Sequence, residues 1–190
     1  MHKRALAIGL ATFALACSDQ VRDAAASDRG FGRPAPPDVI ARMDITVAPD
    51  GTGLPAGSGN VAQGRAIYDA KCAACHGLRG SGGMADRLTG GVGSLGSPKP
   101  VKTVASYWPY ATTLFDYVRR AMPLTEPQSL TDREVYGLVA YLLSIDGIVP
   151  PDATLDAQSL PAVRMPNRAG FVSLEPNGFD GNVERPRQIR

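Results

Sequence analysis

The most regular hydrophobic pattern in the chain lies between residues 130 and 147. Apolar side chains recur there at helical spacing and form a single stripe, made of Val135, Leu138, Val139, Leu142 and Ile145. Thr131 is suited to cap this segment because Glu134 stands three residues later, as in a capping box. Gly147 follows the stripe and supplies a stop, since glycine readily adopts the left-handed conformation that ends many helices. The pattern predicts an amphipathic helix that ends close to Gly147.

Two further helices are predicted on the N-terminal side of this segment. Residues 61–76 (VAQGRAIYDAKCAACH) follow Asn60, which with Gln63 offers a second capping box. Residues 110–122 (YATTLFDYVRRAM) carry apolar side chains at helical spacing, and Pro123 lies just past their end. No segment alternates cleanly between apolar and polar positions, so the pattern offers no clear strand.

The remaining parts of the chain show no regular hydrophobic period. Residues 17–59, a predicted tether, and residues 148–190 read as long irregular extensions on either side of a helical domain at residues 60–147, in line with the 21 glycines and 16 prolines of the chain. We expect the C-terminal extension to bind a partner, and the alternative is that the extensions only cover the domain. Inside the domain, residues 77–100 form a long loop rich in glycine and serine. A loop of this length in a compact domain usually has a task, and we expect it to wrap a ligand.

The first 16 residues are typical of an export signal. A basic start, MHKR, precedes the apolar run ALAIGLATFALA, which is too short to span a bilayer comfortably. Ala14 and Ala16 fit ordinary cleavage, whereas Cys17 directly after Ala16 resembles a bacterial lipoprotein box. We therefore expect a periplasmic protein that is attached to the membrane through a lipid on Cys17. A soluble exported protein is the alternative.

The bulk composition excludes few functions. A net charge of +2 over 190 residues is too small to predict nucleic-acid binding. A hydrophobic content of 44% permits a core, although aromatic residues make up only 6% of the chain. The function must therefore be sought in local motifs.

Two of the three cysteines and one of the two histidines lie within five residues, as Cys72, Cys75 and His76. A structural zinc site needs four ligands, but only Cys17 could add a cysteine or histidine from the rest of the mature chain. A thioredoxin-like disulfide needs a neighbouring βαβ pattern, which the sequence lacks. The spacing CxxCH is instead the attachment signature of haem c. It predicts one covalent haem, with thioethers to Cys72 and Cys75 and with His76 as the proximal iron ligand.

A second histidine ligand is excluded by counting, because His2 lies in the predicted signal. Methionine is the next usual iron ligand in cytochromes c. Met122 is favoured over Met43, Met84 and Met165, because it follows the second helix and can face His76 from the other side of the haem. Met165 is expected to serve in packing.

The segments GRAIYDAKCAACHG, AMP and LTDREVYGLVAYLL, in this order, resemble the class I cytochromes c. In that family a first helix with glycine and an aromatic residue crosses a last helix with an aromatic residue. Gly64 and Tyr68 match the first helix, and Tyr141, with Tyr136 nearby, matches the second. The resemblance covers about residues 60–147 and implies an all-α, monohaem, electron-transferring domain.

Three further segments resemble the SoxD-like cytochrome subunits of sulfur-oxidising dehydrogenases. They are GTGLPAGSG (residues 51–59), KTVASYWPYATTLFDYVRRAMP (residues 102–123) and MPNRAGF (residues 165–171). This resemblance implies an electron-transfer subunit, not catalytic alone, whose electron donor is a molybdenum-containing, SoxC-like dehydrogenase and which passes electrons to a downstream acceptor. The single CxxCH motif implies a monohaem form.

Two other functions remain open at this point. One is a general cytochrome c that delivers electrons to a terminal oxidase, and the other is a haem enzyme or gas-binding protein with an open sixth position.

The pair Arg119–Arg120 also has two interpretations. It is either a solvated helix end or a basic rim that docks an acidic partner.

Overall fold

The computed structural model of the chain describes residues 32–172 and 174. The chain divides into two compact units, Met1–Met43 and Asp44–Arg190. In the first unit, helix α1 (Pro37–Met43) carries an ion pair in which Arg42 and Asp38 approach to 2.8 Å. The predicted signal at residues 1–16 and the predicted lipidation site Cys17 lie outside the described residues.

Four helices are present in the described part of the second unit. They are α2 (Val61–Lys71), α3 (Ala73–His76), α4 (Ala111–Ala121) and α5 (Asp132–Ile145), with a 3-10 turn at Leu78–Gly80. All three predicted helical segments are confirmed, but the first is divided. Its break falls at Cys72, which leaves helical geometry with φ −121° and ψ −36°.

The predicted helix caps are confirmed. The side chain of Asn60 accepts from Gln63 N at 2.9 Å, and Gln63 accepts from Asn60 N at 3.0 Å. Thr131 and Glu134 form the equivalent box at the start of α5, with Thr131 N donating to Glu134 at 2.7 Å. Gly147, with φ +71°, ends the helix, and Ile148 N donates back to Leu143 O at 3.0 Å, as in a Schellman motif.

A small sheet adds to the helices. Strand β1 (Ser58–Asn60) pairs antiparallel with β2 (Thr154–Asp156), and Gly59 lies opposite Leu155. The expectation of an all-α chain omitted these strands, because three residues are too few to show an alternating pattern. The fold is nevertheless mainly helical, and Leu155 contributes to its core.

The core lies where α5 packs against α2 and α4. Most of α5 is buried, and so are Tyr68 from α2 and Leu114, Phe115 and Val118 from α4. Helices α2 and α5 cross at Gly64 and Gly137, where a Cβ atom on Gly64 would overlap the carbonyl group of Gly137. Just beyond the crossing, the rings of Tyr68 and Tyr141 lie 5.3 Å apart.

The residues before α2 are held on the helical domain by side-chain bonds. Val47 N donates to Asp116 at 2.9 Å, and Thr112 donates to Pro49 O at 3.2 Å. Tyr136 OH donates to Pro55 O at 2.8 Å. Residues 44–57, predicted as part of a tether, therefore follow a fixed path over α4 and α5.

The described part of the C-terminal extension is packed in the same way. Leu160 and Met165 are buried in the core, at 0% and 3% exposed. Beyond them, the segment MPNRAGF contacts the segment SYWPY. Asn167 donates to Tyr107 O at 2.6 Å, Arg168 lies 4.4 Å from the ring centroid of Tyr110, and Phe171 meets Tyr107 edge-on at 5.2 Å. Residues 148–172 thus belong to the structural frame of the domain.

Among residues 32–172 and 174, no helix has both the length and the apolar character needed to cross a bilayer.

Candidate haem site

The CxxCH motif occupies the short helix α3 and the residue before it. Cys75 N donates to Cys72 O at 3.1 Å and His76 N donates to the same oxygen at 3.0 Å, so the three residues share one turn. Both cysteines are free thiols, with Cys72 half-buried and Cys75 exposed. One turn therefore presents two thiols and an imidazole, the donor set that covalent haem attachment uses.

The imidazole of His76 has a defined orientation. Its Nδ1 atom lies 2.8 Å from the carbonyl oxygen of Asp86. Because a carbonyl oxygen can only accept, Nδ1 carries the proton and donates, which leaves the lone pair on Nε2. A histidine with one nitrogen held this way offers the other to a metal, and a second bond to a backbone carbonyl is common among metal-ligating histidines. His76 therefore fits a haem-iron ligand.

The environment of Cys72 disfavours thiolate chemistry. Burial raises the pKa of this thiol to about 11, and Lys71 offsets the effect only in part. The thiol is protonated at neutral pH, whereas zinc binding and disulfide exchange use the thiolate. Within residues 32–172 and 174, no three His, Cys, Asp or Glu side chains are grouped so that they could hold a metal ion.

The loop at residues 77–100 is fastened to the motif rather than free. Gly82 N donates to His76 O at 2.8 Å, and Ala85 N donates to Cys75 O at 2.9 Å. From the other side, Tyr68 OH donates to Gly77 O at 2.9 Å. Burial, together with the neighbouring Cys72, raises the pKa of Tyr68 to about 12, so this hydroxyl stays a donor at neutral pH. The loop was predicted to wrap a ligand, and it supplies the Asp86 carbonyl to His76.

The candidate methionines differ in their surroundings. Met122 caps the end of α4 in extended geometry and is half-buried against the core. Met165 is 3% exposed, so protein atoms already surround its sulfur. Met84 is 85% exposed and only eight residues from His76 in the chain. Met43 belongs to the first unit and is also exposed. Met122 remains the predicted sixth ligand.

Both arginines at the end of α4 pair with carboxylates of the chain. Arg119 Nε lies 3.0 Å from Asp132, and Arg120 makes two bonds to Asp116, at 3.0 and 2.8 Å. Burial alone would raise the pKa of Asp116, but bonds from Arg120 and Val47 N outweigh burial and bring this pKa below its usual value. The basic-rim interpretation is weakened, because the positive charges are offset locally.

Sequence reasoning missed Asp86 and Asp146. Asp86 acts through its backbone carbonyl, which leaves no signature in a side-chain pattern. Asp146 accepts from Gly90 N with both carboxylate oxygens, at 2.8 and 2.9 Å, across a separation of 56 residues. The one available signal was an acidic residue at the end of a helix, where the helix dipole disfavours it.

Comparisons with known proteins agree with this site. Residues 59–142 match the family described as "Cytochrome C oxidase, cbb3-type, subunit III". A chain of the crystal structure of the sulfane dehydrogenase SoxCD from Paracoccus pantotrophus is 40% identical and superposes with a TM-score of 0.71. The match covers 85% of this chain and 86% of that chain. The comparison with curated proteins gave no match.

The helix crossing, the CxxCH turn and these matches place the chain in the cytochrome c family. Members of this family carry haem c and transfer electrons. Within the family, the chain resembles the cytochrome component of SoxCD, over residues that extend well beyond the helical domain.

Proposed function

We propose that the protein is a monohaem electron-transfer subunit. It accepts electrons from a molybdenum-containing, SoxC-like sulfur-compound dehydrogenase and passes them to a downstream acceptor. The observation that carries the proposal is the 40% identity to a chain of SoxCD over 85% of this chain. The oxidase-subunit family matches residues 59–142. A match over 85% of this chain must also include much of the sequence outside those residues.

The packing of the extensions supports this assignment. The segments GTGLPAGSG, SYWPY and MPNRAGF, which resemble SoxD-like subunits, supply none of the proposed haem ligands. Yet Pro55 accepts from Tyr136 OH at 2.8 Å, and Asn167 donates to Tyr107 O at 2.6 Å. The segments that resemble SoxD-like subunits are therefore packed on the helical domain or on one another.

The haem is assigned to the single CxxCH motif. Cys72 and Cys75 would form the thioethers, and His76 Nε2 and Met122 would hold the iron. The cofactor supplies a one-electron ferric–ferrous couple. The chain orients His76 through the Asp86 carbonyl, at 2.8 Å from Nδ1, and keeps Cys72 half-buried beside the core. The protein is not expected to be catalytic alone.

The partner is proposed to dock beside Cys75. This cysteine is the exposed one of the pair, and Leu78 and Met84 are exposed apolar side chains nearby in the chain, at 76% and 85%. Ala85 N donates to Cys75 O at 2.9 Å, which holds the residue next to Met84 against the motif. Because a haem on this motif would lie beside Cys75, these side chains mark the edge at which a partner would approach the cofactor.

Export to the periplasm, with a lipid on Cys17, is part of the proposal and rests on the sequence of residues 1–17. A mass spectrum of the native N-terminus tests it. A diacylglyceryl-cysteine supports the anchor. An unmodified N-terminus at another residue leaves an exported protein without the lipid.

A second candidate is electron delivery to a terminal oxidase. It is favoured by the match of residues 59–142 to the subunit III family of cbb3-type oxidases. That match covers the helical domain alone, whereas the SoxCD chain also resembles the extensions, so we rank this candidate second.

The test is reduction of the ferric cytochrome by its co-purifying dehydrogenase in the presence of a reduced sulfur compound. Appearance of the ferrous spectrum, dependent on the dehydrogenase, supports the proposal. If no molybdenum protein co-purifies, and the cytochrome is instead oxidised rapidly by oxidase-containing membranes, the second candidate is preferred.

A Leu78→Ser and Met84→Ser double variant should be reduced more slowly, with an unchanged haem spectrum, if docking occurs beside Cys75. Val92→Ser, at another exposed apolar residue, is the matched control.

A further inference from the structure

The loop that carries the Asp86 carbonyl has no regular secondary structure, so hydrogen bonds and the packing of Leu88 against the core hold its position. Ala85 N donates to Cys75 O at 2.9 Å, and Leu88 N donates to Gly80 O at 2.8 Å. Both bonds join residues that are close in the chain, so they tie the loop to the motif itself. They do not fix the loop relative to the rest of the helical domain.

One side chain from the last helix makes that longer connection. Both carboxylate oxygens of Asp146 accept from Gly90 N, at 2.8 and 2.9 Å. The carbonyl of Gly90 accepts in turn from Thr103, at 2.7 Å. Hydrogen bonds to an ionised group are roughly twice as strong as neutral ones. Asp146 is therefore the charged attachment of the loop to the end of α5.

The position of Asp146 is unfavourable for the helix that bears it. The residue is the C-cap of α5, where the unpaired carbonyls leave a partial negative charge. The last turn of α5 contains no basic residue that would offset the added carboxylate. The helix is already ended by Gly147 and by the bond from Ile148 N to Leu143 O. A carboxylate that is unfavourable at the end of its own helix, and is not needed to end that helix, indicates a role outside the helix.

We propose that Asp146 is a positioning residue for His76. Its carboxylate holds Gly90, four residues beyond Asp86, and so keeps the Asp86 carbonyl where it accepts from His76 Nδ1. A well-placed acceptor on Nδ1 makes Nε2 a stronger donor to the iron, which favours the ferric state and lowers the midpoint potential. This inference rests on the proposed ligation of haem iron by His76.

Two simpler roles would give partly similar results. Asp146 could act only as a structural staple, which affects stability, or only as a negative charge, which lowers the potential without moving His76. Asp146→Ala removes both the bond and the charge. Asp146→Asn removes the charge and retains one side-chain carbonyl as an acceptor. Asp152→Ala is the control, because Asp152 is an exposed carboxylate, with no side-chain bond among the described residues, six positions further on.

The experiment is NMR on the ferrous holoprotein, measuring how fast the Nδ1 proton of His76 exchanges with solvent, together with the midpoint potential. We expect Asp146→Ala to speed exchange about tenfold and to raise the potential, as loss of a charge-assisted hydrogen bond implies. The exchange rate of the Nδ1 proton in Asp146→Asn should lie between those of Asp146→Ala and the unmodified protein. Asp152→Ala should have the exchange rate and the midpoint potential of the unmodified protein.

If the His76 Nδ1 proton exchanges at an unchanged rate in Asp146→Ala and only the unfolding temperature falls, Asp146 contributes to stability alone and does not position His76. Equal rises in potential for both Asp146 variants, with unchanged exchange, would assign it a charge effect alone. If the Nδ1 proton of the unmodified protein does not shift on oxidation of the iron, His76 is not the ligand. That result would overturn the haem-ligand assignment as well as this inference, whereas the first two outcomes leave the ligand assignment intact.

Discussion

The backbone of Gly64 in α2 packs against the backbone of Gly137 in α5. A Cβ atom on Gly137 would lie 3.1 Å from Gly64 N, and one on Gly64 would overlap the Gly137 carbonyl. Four residues further along each helix, the rings of Tyr68 and Tyr141 lie 5.3 Å apart. This crossing sets the path of α2 relative to α5. It therefore also sets the position of the CxxCH turn, which begins directly after Lys71.

Replacement of Gly64 by alanine should destabilise the protein more than ordinary overpacking does. The added methyl group meets backbone, which cannot turn aside, so we expect a loss of about 3 kcal/mol or more in the free energy of unfolding. Urea denaturation of the holoprotein measures this loss. Gly96→Ala is the matched control, since a Cβ there has nothing within 4 Å. Similar stability for the two variants would mean that the helices do not cross this closely.

Met122 and Met165 should behave differently when each is replaced by alanine. Met122→Ala should abolish the weak near-infrared band of iron–thioether bonding, and the ferrous protein should then bind carbon monoxide readily. Met165→Ala should keep the band and lose about 2–5 kcal/mol of stability, because a buried side chain leaves a cavity. Loss of the band in Met165→Ala alone would transfer the ligand assignment to Met165.

Two C-terminal truncations separate folding from docking. Deletion of residues 151–190 removes the core side chains Leu155, Leu160 and Met165, and it also removes strand β2, the partner of β1. We therefore expect a protein that does not fold stably around its haem. Deletion of residues 175–190 leaves these contacts in place and should preserve the haem spectrum. If the shorter truncation also slows reduction by the dehydrogenase, the last residues contribute to docking. Reduction at the full rate would confine docking to the rest of the chain.

Asp116 should make the stability depend on pH in the acid range. Its pKa is below the usual value in the folded protein, because bonds from Arg120 and Val47 N outweigh burial. The stabilisation is therefore fully present above the unfolded pKa of about 4 and is lost as the pH falls through the lower folded pKa. Asp116→Asn should be about 1 kcal/mol less stable than the unmodified protein at pH 7. This difference should shrink in acid. A difference that stays constant from pH 7 to acid would contradict the account, and Asp152→Asn serves as the exposed control.

The sequence predicted the parts of the fold that depend on local chemistry. Capping boxes, the stripe of α5 and the stop at Gly147 are encoded by residues a few positions apart, and the structure confirms them. Strand pairing between Gly59 and Leu155 depends on contacts almost a hundred residues apart, and no local pattern marks three-residue strands.

The candidate site divides in the same way. Cys72, Cys75 and His76 form a compact motif that is visible in the sequence. The partner of His76 is the backbone carbonyl of Asp86, in a loop without periodicity, and no side-chain pattern marks it. Arg119 was ambiguous in the sequence because its partner, Asp132, comes close only once α4 and α5 have packed. Arg120 pairs with Asp116 four residues earlier on α4, a spacing that the sequence did offer.

The most direct test of the account is the mass of the denatured holoprotein, made in cells that export it and mature cytochromes c. We predict the mass of the mature polypeptide plus one haem, with the haem retained on the proteolytic fragment that contains Cys72, Cys75 and His76. A variant with Cys72→Ala and Cys75→Ala should carry no covalent haem. The account would be contradicted if the haem of the unmodified protein were extracted into acid-butanone, leaving an unmodified polypeptide, or if the mass showed a second attached haem.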